Sequence, residues 1–194
     1  MSTTAPPGFQ PAGRAPAPPP LDLVQDFVNT EIPEWAQDDI ATPAELASWL
    51  RARGLVGEHD DMHADSFVRA RALRDVLRAL ALQNTLGEPP DERLRREFDG
   101  VVAGLLLRVE LGDRGELRLI PGEGGVDGAL AEIVGRVLEA QSSGAWNRLK
   151  ACRKESCGWL FYDGSRNASS MWCSMSICGN RTKTAAYRRR RSAQ

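Results

Sequence analysis

All four cysteines of this chain fall between residues 152 and 178, and their spacing is regular. Cys152 and Cys157 form one C-x4-C pair, fifteen residues follow, and Cys173 and Cys178 form a second C-x4-C pair. A disulfide-built scaffold would spread its cysteines through the chain rather than confine them to one stretch. The first twenty residues hold seven prolines and a single charge, Arg14, with no apolar run of the kind a secretory leader needs. The expected compartment is therefore the cytoplasm, where thiols stay reduced and clustered cysteines serve as metal ligands. Four thiolates with no fifth ligand predict a closed tetrahedral structural site for Zn2+, without an open position for chemistry. An iron–sulfur cluster is the competing metal, because four cysteines suit both.

Around the thiols the sequence predicts a hairpin, with residues 159–163 running out, 164–167 turning and 169–173 returning. Gly158 and Gly179 each follow the second cysteine of a pair, where the backbone must turn tightly enough for amides to donate to sulfur. From Thr182 onward the alanines and arginines favour a helix. Two metal-binding turns, a hairpin between them and a helix leaving the second predict a treble-clef-like zinc finger. Trp159, Phe161 and Trp172 supply the small core such a unit needs, a role that outweighs stacking on bases.

Charge divides the chain at the same place. Residues 147–194 carry eleven Lys and Arg against two acids, whereas residues 1–146 carry fourteen against twenty-four. An acidic body with a basic end points to nucleic acid bound at that end alone. Asn180 and Arg181 stand where the final helix is expected to start. Asn180 suits a cap, and Arg181 suits a phosphate or base-edge contact. Lys183 and Arg188, Arg189, Arg190 and Arg191 are expected to contact phosphates, which gives affinity without sequence choice. Arg166 and Asn167 lie in the hairpin turn, Arg166 as a further contact candidate.

The remainder reads as one mostly helical domain over residues 21–145, preceded by an arm (1–20) too rich in proline to form a core and expected to be disordered. Leu23, Val24, Phe27 and Val28 recur at helical spacing. Thr42-Pro43-Ala44-Glu45 is a capping box with proline at the first helical position. The strongest helix covers residues 66–86, with Phe67, Ala70, Leu73, Leu77, Leu80 and Ala81 inward and a row of arginines beside them. Asp91 caps the next helix. Alternation over 105–111 and 116–120 predicts a β-hairpin with Leu107, Val109 and Leu111 on one face. A last helix spans 127–140, with Leu130, Ile133, Val134, Val137 and Leu138 inward. His59 and His63, four apart among carboxylates, read as a solvated acidic loop rather than a metal site. The fold class is thus α+β: a helical domain with one hairpin over 21–145, then the finger over 146–194.

Cys178-Gly179-Asn180-Arg181 resembles the signature of the CGNR zinc-finger proteins. The segments around Trp159-Leu160-Phe161-Tyr162-Asp163, Ser165-Arg166-Asn167 and Trp172-Cys173-Ser174-Met175 resemble that family's body, although Ser170 and Met171 stand where it often carries a basic residue. Upstream, Asp26-Phe27-Val28-Asn29-Thr30 resembles the opening motif of the ABATE domain of stress-induced transcription regulators. The resemblance implies a bacterial protein that binds nucleic acid, DNA in preference to RNA, in gene regulation.

Three readings of function then stand beside one another. The first is a DNA-binding regulator whose helical domain senses a signal or forms a homodimer. The second is an interaction module in which the basic end meets an acidic protein. The third, an enzyme with Asp26, Asn29, Arg71 or Arg74 lining a ligand pocket, is disfavoured because no base or nucleophile accompanies those residues. No apolar run approaches the roughly 18 residues of a membrane helix, so neither a membrane nor a catalytic role is expected.

Overall fold

The computed structural model describes residues 10–60, 62–182 and 184. Lys183 and Arg188–191 of the expected phosphate contacts lie outside the described residues.

A long central helix, α3 (Ala64–Leu86), organises the body. Its inward stripe, Ala70, Leu73, Leu77 and Ala81, is fully buried. Against it pack α1 (Leu21–Val28), α2 (Pro43–Arg51), α4 (Glu92–Val102) and α5 (Gly125–Ser142). Local chemistry sets the helix ends. Thr42 Oγ1 accepts from the Glu45 amide while the Glu45 carboxylate accepts from the Thr42 amide, the capping box expected for α2. Asp91 accepts from the Leu94 amide at the start of α4. Gly87 ends α3 at φ 72°, a left-handed conformation that glycine adopts without strain. His59 lies in a loop and His63 is the residue before α3, so the two imidazoles do not share a helical face.

The predicted hairpin is present as β3 (Leu107–Leu111) and β4 (Leu117–Pro121), with Val109 opposite Leu119 and Leu111 opposite Leu117. These apolar pairs share one face and remain largely exposed, as does Leu138 of α5 beneath them. Leu138 was expected inside; the hairpin stands off from that part of α5 and leaves it uncovered.

Between α1 and α2 runs a short ribbon, β1 (Glu31–Ile32) paired antiparallel with β2 (Gln37–Asp38), with a single 3-10 turn over Pro33–Trp35 at its tip. Two arginines of α3 fix it. Arg74, 1% exposed, makes a bidentate pair with Asp38 at 2.6 and 2.9 Å. Arg78 pairs with the Glu31 carboxylate and donates to the Val28 and Glu31 carbonyls at 2.8 and 3.0 Å. Part of the arginine row is thus a set of anchors rather than a solvated face.

The chain then reaches β5 (Leu149–Ala151), which pairs antiparallel with β6 (Leu160–Tyr162). The expected partner of residues 159–163 was the segment 169–173; the structure pairs them with 149–151 instead. The body holds this hairpin firmly. Asn84 Nδ2 donates to the Trp146 and Leu149 carbonyls, both at 2.9 Å, and Thr85 Oγ1 donates to Ala151 O at 2.7 Å. Leu149, Ala151 and Leu160 belong to the same apolar core as α1, α3 and α5. The arm is not disordered over its described part either: Ala17 is buried, and its amide donates to Gln25 Oε1 at 2.7 Å. No described helix is long and apolar enough to cross a membrane.

Candidate metal centre

Cys152 and Cys157 occupy the loop that joins β5 to β6. Its turn is closed by the Cys157 amide donating to Lys154 O at 2.8 Å and the Cys152 amide donating to Trp159 O at 2.9 Å. Cys173 and Cys178 flank a second turn, where Ser174 starts a short π-helical stretch (Met175–Gly179) by accepting from the Ile177 amide at 3.2 Å. Helical backbone continues through Asn180, Arg181 and Thr182. Ser174 is therefore the cap, and Asn180, expected there, lies exposed on the helix instead. A Cβ at Gly179 would lie 2.3 Å from Met175 Sδ, so the exposed methionine side chain would have to move aside.

All four sulfurs are buried and lie within 4.8 Å of one another. Cys157 and Cys173 are 3.7 Å apart, Cys173 and Cys178 3.6 Å. A disulfide needs about 2.05 Å, whereas a single tetrahedral ion with bonds of about 2.3 Å sets its sulfurs about 3.8 Å apart. The donor set therefore fits one ion. A multinuclear cluster would spread its thiolates over several iron atoms. The proton balance agrees. The Cys152 thiol is held far below its usual range by hydrogen bonds from Cys157 and Cys173. Cys157 and Cys173 are pushed up by the same contacts, and Cys178 by burial. Four thiolates this close repel one another, and a cation among them offsets that repulsion. Among the described residues this is the one group of three or more ligand-type side chains close enough to hold a metal.

Phe161 (0% exposed) and Trp159 (5%) are buried against the sulfurs, with Trp172 packed beside them, so the aromatic residues form the small core and are not a stacking platform. Ile32 of the ribbon enters the same cluster. Asp163, wholly buried, organises the segment that follows β6. Its carboxylate accepts from Lys150 Nζ at 3.1 Å, from the amide and hydroxyl of Ser165 at 3.2 and 2.6 Å, and from those of Ser170 at 2.8 and 3.0 Å. Burial alone would raise this carboxyl, but the bonds outweigh it and hold it well below the usual carboxylate range. Lys150 Nζ also donates to the Ala168 and Ser170 carbonyls.

Side-chain hydrogen bonds and ion pairs also tie the centre to the body. Asn29 pairs with the Leu160 peptide in both directions, Nδ2 to O at 2.9 Å and amide to Oδ1 at 2.8 Å. Gln25 Nε2 donates to the same carbonyl at 3.1 Å. Arg14 donates to Cys173 O at 2.7 Å and Trp172 O at 3.1 Å, its guanidinium over the Phe161 ring at 4.6 Å. Glu34 at the ribbon tip accepts from Lys154 Nζ at 2.5 Å and Arg181 Nη1 at 2.9 Å.

The four residues considered for a ligand pocket have separate engagements. Asp26 meets Arg53 at 3.5 Å, Asn29 holds Leu160, and Arg74 and Arg71 share Asp38, Arg71 at 3.9 Å. Arg166 is exposed on the loop and Arg181 is 63% exposed. The sequence reading missed Glu34, Lys150, Lys154 and Arg14. Asp163-Gly-Ser165 carried a usable signal, since an aspartate two residues before a serine commonly folds a turn onto its own carboxylate; the others had none.

Two family models match the chain. One, ABATE, described as "putative stress-induced transcription regulator", covers residues 21–144. The other, described as CGNR zinc finger, covers residues 148–191. No curated protein matches the chain.

Proposed function

The chain belongs to the ABATE family and carries a CGNR zinc finger at its C-terminal end, and from that premise we propose that it is a DNA-binding transcription regulator built on a structural zinc ion. Cys152, Cys157, Cys173 and Cys178 hold the ion, which supplies cross-linking and no chemistry. The finger works in the manner of a treble clef, one metal-binding turn in a hairpin and the second at the start of a helix. The ABATE domain senses a signal or dimerises, and the protein is not an enzyme.

The observation that carries this reading is the set of exposed arginines around the centre. Arg153, Arg166 and Arg181 are exposed on the two turns and the loop between them, and the sequence beyond adds Lys183 and Arg188–191. Such a concentration of cations suits a phosphate backbone and gives affinity that salt weakens steeply. Titration of labelled duplex DNA and RNA at increasing salt tests it. Log affinity is expected to fall by about 0.9 for each phosphate contacted, with DNA bound more tightly. Arg166→Ala should reduce that slope by about one contact at unchanged metal content. A flat response to salt with both nucleic acids would overturn the proposal. A second reading, a protein-binding finger, draws on Met175 (47% exposed) and Ile177 (39% exposed) on the second turn. Pull-down from lysate that survives nuclease treatment would favour it.

A further inference from the structure

Glu34 is an acid of the body placed on the finger, and its position is specific. Lys154 sits inside the first C-x4-C turn and Arg181 directly beyond the second. Both cations reach the same carboxylate oxygen, Glu34 Oε1, at 2.5 and 2.9 Å. Two cations converging on one anionic oxygen is the arrangement that holds a phosphate oxygen. Each cation belongs to a different cysteine-bearing turn, so the clustering of the four sulfurs also brings the two cations together.

The carboxylate is steered there. The Pro33–Trp35 tip that carries it lies between β1 and β2, which Arg78 and Arg74 anchor through Glu31 and Asp38. Ile32 is buried in the metal cluster beside it, and the Trp35 ring lies 6.4 Å from that of Trp159. The Arg181 half of the contact is exposed, 63% on the arginine, and contributes little to stability; Lys154 and Glu34, 21% and 22% exposed, form the tighter half. A phosphodiester that offers both cations an anionic oxygen can take the place of the carboxylate, because Arg74 and Arg78 still anchor the ribbon.

We propose that Lys154 and Arg181 form a phosphate-binding clamp and that Glu34 occupies it in the protein free of nucleic acid, so that the body of the molecule sets the affinity of its own finger. This rests on the nucleic-acid reading above for its partner, but the clamp is a separate claim about one anion site. It also predicts a route for the ABATE domain to act: any shift of the β1–β2 ribbon opens or closes the clamp.

The test is Glu34→Gln, which keeps shape and removes charge. It should tighten duplex DNA binding about five-fold, the size of a released half-exposed ion pair, at unchanged metal content. Lys154→Ala in the Glu34→Gln protein should abolish the gain. Glu155→Gln, an equal charge change at an exposed acid of the same turn, should tighten binding less. A parallel titration with inorganic polyphosphate reads the clamp without nucleic acid. A gain on polyphosphate with no binding of either nucleic acid would support the clamp and sink the regulator reading. No gain from Glu34→Gln on either ligand, or an equal gain from Glu155→Gln, overturns the clamp.

Discussion

Asp163 and Lys150 are the residues on which the loop between β6 and the second metal-binding turn depends. Both are buried, 0% and 5% exposed, and each satisfies the other's charge while collecting bonds from residues 165–170. Removing one partner leaves the other charged in a dry site, so Asp163→Asn is expected to cost about 3–5 kcal/mol in denaturant unfolding. The pH dependence has a defined sign. A carboxyl depressed on folding contributes stability that is present above its ordinary value, near pH 4, and is lost as pH falls through the lower folded value. Acid titration should thus erode wild-type stability progressively below about pH 4, narrowing the gap to Asp163→Asn. At this scale the sequence was legible where the partner is near: the capping box of Thr42 and Glu45, the cap Asp91, the thiols at fixed spacing. It was not legible for Asn29, whose partner Leu160 lies 131 residues on, or for Arg74, whose partner Asp38 lies 36 residues back. A buried arginine and a solvated one have the same letter.

The β5–β6 hairpin shows what period reading can and cannot do for an element. Three residues, Leu149–Ala151, are too few to display alternation, whereas residues 169–173 looked extended and were the obvious partner. The bonds from Asp163 and Lys150, together with Ala168 at φ 44°, keep residues 164–170 out of a strand. The longer hairpin β3–β4 was legible because both strands alternate over five residues, although its exposed apolar face was not. The β6 strand also receives hydrogen bonds from outside the two-stranded sheet: the Asn29 side chain plays the part of an adjacent strand. Asn29→Ala should leave the Leu160 amide and carbonyl without that partner, at a cost of about 2–3 kcal/mol. Hydrogen exchange at the Leu160 amide should rise accordingly, with Asn29→Asp restoring only the acceptor half.

For the whole molecule, the family boundary near residue 145 is not a mechanical boundary. Leu149, Ala151 and Leu160 belong to the helical core, and Ile32 belongs to the metal cluster. Chelation is therefore expected to lower the melting temperature of the entire chain in one transition, and to raise hydrogen exchange in the β1–β2 ribbon as well as around the cysteines. Two separate transitions, with only the later one sensitive to metal, would contradict this coupling. The sequence located both modules but not their fusion, because composition and charge change abruptly at residue 147 while the contacts that cross it are single residues far apart in the chain. Arg14 is the extreme case: it bonds the carbonyls of Trp172 and Cys173, 158 and 159 residues away. During synthesis the ribosome delivers the arm and ribbon long before the last thiol. Long-range closures of this kind slow folding and leave surfaces waiting for their partners. The nascent helical domain must hold Asn29, Ile32 and Arg14 in readiness until Cys178 has emerged and found its ion. If the thiols take up an ion, its supply would time the completion of a domain translated well before the residues that hold it.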